Sequence, residues 1–320
     1  MFTIMGVFLR SMPSRRFHPS PYLLLTLTAL FWAGNWVVGR AMRDVASPIS
    51  LTFWRWILAW ILLFPFALPH IRREWRTIWA SKRILIILGL LGTGTYNALS
   101  YTGLQYTSVT NAVVLNSVVP ILIAAVSWAF LGEKLTLVQG LGILISLTGV
   151  LCILTRADPE VLLALRFNVG DLWVFVSMLV WAFYTVALKW RPAGLHPLAF
   201  LESIATVGLV AMLPLYLAGV GGRSGIALTT GSVLALLYLG IFPALLAYIF
   251  WNRAVAEVGP SIAGLFMHLM PVFGTGLAIV FLGESLHAYH FVALALILGG
   301  LFITTHYGRG EVPTGVMADE

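Results

Sequence analysis

Residues 109–133 read VTNAVVLNSVVPILIAAVSWAFLGE, and residues 260–284 read PSIAGLFMHLMPVFGTGLAIVFLGE. Both carry an early alanine (Ala112, Ala263), a central proline (Pro120, Pro271) and a Leu-Gly-Glu end (Leu131-Gly132-Glu133, Leu282-Gly283-Glu284), all 151 residues apart. Working outward, Gly89 meets Gly240 and Gly149 meets Gly300 at the same offset. Upstream the offset becomes 149: Trp32-Ala33 meets Trp181-Ala182, Arg40 meets Lys189, Pro48 meets Pro197 and Pro65 meets Pro214. Matches at a nearly constant spacing along the chain mark an internal duplication.

The duplicated unit is apolar. Of 320 residues, 60% are hydrophobic and 10% charged, and the mean hydropathy is +0.94. A soluble domain carries about 25% charged residues, and a fold of this length in water could not hide so much apolar surface. The apolar runs are helix-length blocks without strand alternation. They predict spans at 22–42, 49–68, 84–106, 109–131, 136–155, 170–190, 197–219, 229–252, 260–282 and 287–306. In lipid each such segment satisfies its own backbone only as a helix. The expected fold is an all-α integral membrane protein of ten transmembrane helices. It is organised as an N-terminal tail (1–21), a five-helix repeat (22–155), a connecting loop (156–169), a second five-helix repeat (170–306) and a C-terminal tail (307–320). Five is odd, so the second repeat enters the membrane inverted, a recurrent build of secondary transporters.

The charge is +7. Thirteen basic residues fall on the side of the N-terminal tail, five on the other, and Arg55 lies within the second span. The positive-inside rule then places both termini in the cytoplasm. The net charge is a loop signature, so no nucleic-acid partner is expected. The single cysteine, Cys152, allows neither a disulfide framework nor a thiolate zinc site. The N-terminus lacks a basic segment and a small-residue cleavage site, so no removed signal peptide is expected.

Polar residues inside spans are the candidates for transport, because they are costly toward lipid. Trp32 and Asn35 in the first span correspond to Trp181 and Tyr184 in the sixth. Spacing of four puts Gly89, Thr93, Asn97 and Tyr101 in one row of the third span, and Gly240, Ala244, Tyr248 and Asn252 in the matched row of the eighth. Helix packing through small residues is the better reading for the first two members of each row. Pro120 and Pro271 cannot bond back to the carbonyls of Asn116 and Met267. Those carbonyls are candidates to accept from a solute ammonium, and the prolines are candidate hinges. His268 reads as a proton relay, a donor to solute, or a buried neutral histidine with one partner. Arg55 and Glu202 lie within about two turns of a helix end, where snorkelling can rescue them. No midplane carboxylate pair is visible, so strong proton coupling is not expected. Gly132 and Gly283 suit the left-handed residue after a helix end. Glu133 and Glu284 would then face the next helix N-terminus, where the dipole favours negative charge.

The paired Trp-Ala spans, the proline-centred spans and the two Leu-Gly-Glu turns resemble the drug/metabolite transporter superfamily over residues 20–306. Within it the chain is most similar to ten-helix EamA-type exporters of the YddG kind, which export aromatic and other amino acids. The resemblance implies a bacterial inner-membrane exporter. It also implies a central cavity built from spans 1, 3, 4, 6, 8 and 9, with spans 5 and 10 structural.

The expected function is therefore a secondary transporter that exports neutral or aromatic amino acids by alternating access. The carboxylate would meet donors from Asn35, Asn97, Tyr184 and His268, and the side chain would rest on Trp32, Trp181 and Tyr248. A multidrug, purine or other metabolite exporter is the alternative. A membrane enzyme is disfavoured, since no H-E-x-x-H, paired carboxylates, G-x-S-x-G or glycine-rich phosphate loop occurs. No cofactor is expected. The partners are the solute and the lipid bilayer, and the chain is expected to work as a monomer.

Overall fold

The computed structural model describes residues 19–158, 160–163, 168–219, 225–282 and 287–307. Among them lie ten helices long and apolar enough to cross a membrane, and no strand. We name them α1 (Pro21–Ala41), α2 (Pro48–Ala80), α3 (Lys82–Tyr106), α4 (Val109–Asn116 continued by Val119–Leu131) and α5 (Leu137–Thr155). The second set is α6 (Val169–Ala187), α7 (Pro197–Leu217), α8 (Thr230–Val258), α9 (Pro260–Leu265, a 3-10 turn Phe266–His268, then Leu269–Leu282) and α10 (Ala288–Tyr307).

Polar side chains set most of the helix starts. Ser47 and Ser108 accept from the amides of Ser50 and Asn111 at the heads of α2 and α4. Thr136 with Gln139, Asn168 with Asp171, and Thr229 with Ser232 form reciprocal caps on α5, α6 and α8. Each supplies acceptors to amides that have no partner inside the helix. Gly132 closes α4 at φ +68°, the left-handed region its missing side chain permits.

The second span is longer than the expected 49–68. α2 runs for 33 residues through Pro65 and Pro69, roughly 50 Å at 1.5 Å per residue. That exceeds the ~30 Å hydrocarbon thickness. Arg72, Arg73 and Arg76, expected in a loop, therefore sit on a projecting helix end. The eighth span likewise continues past 252 to Val258.

The two repeats interleave. The most extensive packings join one to the other: α5 with α10, α3 with α6 and with α7, α1 with α8, α2 with α7 and α4 with α6. Glycines allow the closest approaches. A methyl at Gly300 of α10 would lie 2.4 Å from the Gly142 carbonyl oxygen of α5. A methyl at Gly89 of α3 would lie 2.6 Å from Val207 Cβ of α7, and one at Gly240 of α8 would lie 2.7 Å from Leu58 Cδ2 of α2. Gly89 and Gly240 are repeat mates, and so are Val207 and Leu58, so one packing device occurs twice.

A second device also recurs. α3 contains a π-helical segment at Gly89–Thr95 and α8 one at Gly240–Leu246, at matched positions. One extra residue in a turn rotates the remainder of the helix by roughly 100° relative to an α-helix. The expected single row on α3 is therefore divided. Thr93 donates to the Ile204 carbonyl of α7 at 2.8 Å, whereas Asn97 and Tyr101 turn toward α1 and α2.

Candidate functional site

The face of the bundle where α1 begins is called the near face, and its opposite the far face. Between them the centre is filled by rings. Trp32 (α1) and Trp181 (α6) meet edge to face at 4.9 Å, and Trp32 also contacts Trp251 at 5.1 Å and Tyr248 at 6.2 Å. Tyr184 lies 5.0 Å from Trp181 and 5.9 Å from Tyr248. Trp56 of α2 and Tyr96 of α3 complete the cluster at 4.9 Å from Tyr248 and Trp181 respectively. Edge-on and tilted contacts are the arrangement that ring quadrupoles favour. By its place near a loop Trp56 reads from the sequence as a membrane-interface tryptophan, but it is 1% exposed and packs into this cluster; Tyr96 and Trp251 were not singled out from the sequence. Their single signal is adjacency to Asn97 and Asn252.

The π segments hold this cluster. A π turn leaves carbonyls poorly matched to the helix ladder. Tyr248 donates its hydroxyl to the Gly92 carbonyl at 2.6 Å, and Trp32 donates Nε1 to the Pro243 carbonyl at 3.1 Å. Gly92 and Pro243 are repeat mates, so the two halves clasp each other at equivalent carbonyls.

Polar groups lie at either end of the rings. Toward the far face, Arg55 Nη1 donates to Asn35 Oδ1 at 2.9 Å, Asn97 Oδ1 at 2.9 Å and the Tyr101 hydroxyl at 2.7 Å. Tyr101 in turn donates to Asn35 Oδ1 at 2.8 Å. Arg55 is 1% exposed and does not snorkel: α2 starts at Pro48, and neutral oxygens from α1 and α3 hold the guanidinium inside. Toward the near face, Tyr184 donates to Asn252 Oδ1 at 2.7 Å, and Arg191 Nη1 donates to the Asn252 carbonyl at 3.4 Å. Glu202 does not snorkel either: it is 1% exposed and neither carboxyl oxygen has a hydrogen-bond partner.

His268 is satisfied within the protein. Its Nε2 lies 2.9 Å from the Ser117 carbonyl and its Nδ1 2.8 Å from Ser146 Oγ. A carbonyl only accepts, so Nε2 carries the proton and Nδ1 is free to accept from Ser146. The ring has two partners where one was expected, and its donor is not available to a solute. Ser117 and His268 are themselves repeat mates, 151 residues apart. The carbonyl that gains a side-chain partner beside Pro120 is thus that of Ser117, one residue beyond the expected Asn116. α4 breaks there, because the amide of Ile121 bonds back only to Val118. On α9 the Leu269 amide bonds back to the Phe266 carbonyl and closes the 3-10 turn just before Pro271.

Two cavities flank the ring cluster. The far-face cavity, about 340 Å³, is lined by Ala33, Trp36, Asn116, Met270, Pro271 and Arg156 among others. Asn116 directs Nδ2 toward Met270 Sδ at 3.7 Å, while its Oδ1 has no partner. The near-face vestibule, about 940 Å³, is lined by the ends of α4, α6 and α8, including Lys134, Lys189, Arg191, Glu257 and Val255. Trp36 lies one turn beyond Trp32, and Val255 one turn beyond Trp251. The rings therefore separate the two spaces.

Glu133 does not serve the head of α5, which Thr136 and Gln139 cap. Its carboxylate accepts from Ser127 Oγ at 2.7 Å and pairs with Lys189 at 3.6 Å, tying the end of α4 to the end of α6. Gly283 and Glu284 lie outside the described residues.

The comparisons agree with this architecture. The model of the EamA-like transporter family matches residues 19–155 and again 168–306. The uncharacterized transporter YyaM of Bacillus subtilis is 26% identical over 89% of this chain and 93% of its own length. A "probable terminal-alkyne amino-acid exporter" of Streptantibioticus cattleyicolor is 25% identical over 90% of this chain and 94% of that one. A solved crystal structure superposes with a TM-score of 0.72 at 20% identity, covering 90% of this chain and 97% of that chain. With both of its halves matched, the chain belongs to the EamA-like transporter family and is a membrane transporter, not an enzyme.

Proposed function

We propose that the protein is a secondary transporter that exports small amphipathic solutes, foremost neutral and aromatic amino acids, by alternating access about the ring cluster. The observation that carries this is the position of Trp32, Trp181, Tyr184, Tyr248 and Trp251. They sit where the two repeats clasp, between one cavity on each face. Aromatic walls with a few polar groups at their ends suit a small amphipathic molecule. Rings held by matched carbonyls from opposite repeats must part when the repeats move, which links opening to relative motion of 22–155 and 170–306. Pro120 and Pro271, at the breaks of α4 and α9, are the hinges in this reading.

The near face, rich in Lys and Arg, is then cytoplasmic, and the membrane is a bacterial inner membrane. The amino-acid preference is supported by the ring chemistry and by the name of the exporter relative from Streptantibioticus cattleyicolor. The test is counterflow in proteoliposomes with labelled L-phenylalanine, L-tryptophan, L-leucine and adenine, with and without a pH gradient. Exchange of the amino acids is expected. Uptake of adenine alone would move the assignment to purines, and a reporter at Glu320 that reads as external would reverse the orientation.

A further inference from the structure

Arg55 is a buried cation held by neutral groups. Its three bonds go to two amide oxygens and a phenol, and all three leave from Nη1. Nε is buried without a partner. No salt bridge among the described residues includes Arg55. A charge in a membrane span calls for compensation and marks a functional position, and three neutral acceptors on one nitrogen supply only part of it. The edge of a guanidinium that carries Nε is one on which a carboxylate binds with two parallel bonds. The repeat mate of Arg55 is Ile204, and Ile204 is fully buried, so packing at this place in the fold is met without a charge. The sequence neighbours of the cluster, Trp32 on the helix of Asn35, Trp56 beside Arg55 and Tyr96 beside Asn97, all belong to the ring cluster. A solute lying along the rings would bring one end to Arg55.

We propose that Arg55 receives the carboxylate of the transported solute on its Nε edge, with Asn35, Asn97 and Tyr101 holding the guanidinium in place. This rests on the transport reading above and narrows it to carboxylates. Cations without an acid group are excluded as preferred solutes. The roles expected of Asn35 and Asn97 change: their oxygens position the arginine, and the arginine meets the solute.

The test uses the full chain in proteoliposomes exchanging labelled L-phenylalanine. The competitors are 3-phenylpropionate, which lacks the ammonium, and phenethylamine, which lacks the carboxylate. 3-Phenylpropionate is expected to compete at least tenfold better than phenethylamine. Arg55→Lys keeps a charge but loses the bidentate edge. It is expected to weaken 3-phenylpropionate at least tenfold and leave phenethylamine unchanged. Asn97→Asp builds a carboxylate against Arg55. It is expected to fold and to abolish the rise in melting temperature that 3-phenylpropionate gives the parent protein. If both variants respond to 3-phenylpropionate as the parent does, the proposal is wrong. If phenylalanine exchanges but phenethylamine competes equally well, the transport reading stands and the Arg55 assignment falls. If no amino acid exchanges yet 3-phenylpropionate raises the melting temperature and Asn97→Asp cancels that rise, the Arg55 assignment stands and the amino-acid reading falls. If 3-phenylpropionate neither competes nor stabilises, Arg55 is no carboxylate receptor.

Discussion

Asn35, Asn97 and Tyr101 of the first repeat stand where the second has Tyr184, Tyr248 and Asn252. Each half makes one Tyr-to-Asn hydrogen bond, at 2.8 Å and 2.7 Å, but from opposite helices. In the first half the tyrosine is on α3 and the asparagine on α1. In the second the tyrosine is on α6, the mate of α1, and the asparagine on α8, the mate of α3. The contact has survived while its two residues traded places. Duplication preserves the geometry of a contact and leaves its chemistry free to diverge. The divergence is sharpest one helix away, where Arg55 faces this cluster in the first half and Ile204 stands at the matched place in the second. One end of the ring cluster therefore meets a cation buried within a span, whereas the other meets one, Arg191, only past the end of α6.

Four measurements would break or sharpen that contrast. The largest effect is expected from Arg55→Met set against Ile204→Met. The first leaves Asn97 Oδ1 buried without a donor and strips charge-assisted bonds from Asn35 and Tyr101. It should cost about 3 kcal/mol in a reversible unfolding titration in detergent. The second is a near volume-conserving exchange and should cost about 1 kcal/mol. Equal losses would mean that the charge adds nothing to the fold.

Next comes Gly89→Ala against Gly240→Ala. The new methyl on α3 meets Val207 Cβ at 2.6 Å and the Ile204 backbone oxygen at 2.8 Å, while that on α8 meets only side-chain atoms of Leu58, from Cδ2 at 2.7 Å to Cβ at 3.1 Å. Overpacking costs of about 1–3 kcal/mol are typical, and the α3 variant should lie at the upper end and the α8 variant at the lower. A reversed order in melting temperature would show that the two π segments do not share one packing role.

Tyr101→Phe against Tyr184→Phe comes third. Tyr101 accepts from a guanidinium and should cost about 2 kcal/mol, whereas Tyr184 loses a neutral bond worth about 1 kcal/mol. Equal losses in the same unfolding titration would show that the guanidinium lends this bond no extra strength.

The smallest effect concerns the heads of α2 and α7. Ser47 caps the first and its repeat mate His196 caps the second, through Nδ1 accepting from the Leu198 amide at 3.3 Å. Burial holds the His196 imidazole below its ordinary value of 6.5. The His70 ring stacked 3.5 Å away adds to this, the Glu74 carboxylate opposes it, and Arg73 again favours the neutral ring. The folded form thus binds the proton less readily than the unfolded one, so stability falls as the pH drops below 6.5 toward the folded value. A protonated Nδ1 also cannot cap. Hydrogen exchange in the first turn of α7, corrected for intrinsic rates, should quicken between pH 7.5 and 5.5 while that of α2 does not. His196→Ser should erase the difference, and an unchanged profile in that variant would remove the histidine from the account.

Much of the fold was legible in the sequence. Runs of apolar residues announce a helix in lipid because nothing else satisfies the backbone there, and the matches at 149 and 151 announce the repeat. The reading failed where that logic is silent. The end of α2 looked like a loop because Pro69 and the arginines interrupt the hydropathy, yet a helix leaving the bilayer needs no hydropathy to continue. The row on α3 assumed a uniform helix, and the π segment at Gly89–Thr95 rotates half of it away. Arg55 looked like a residue that could reach water because it stands near a helix start. Its acceptors lie 20, 42 and 46 residues away and are uncharged, so no charge pattern advertises them. His268 was visible as a polar group in a span. Its partners, a serine on α5 and a backbone carbonyl on α4, carry no signature at all.

The sequence by itself determined that the chain lives in a bilayer, crosses it with ten helices and repeats after five. Those properties are sums over local stretches and survive errors of several residues at any boundary. Tertiary structure alone decided which donors are already committed, which carbonyl beside Pro120 is taken, and that one guanidinium faces three neutral oxygens from two other helices. A hydrogen bond depends on distances of a few tenths of an ångström between groups far apart in the chain, and only packing sets those.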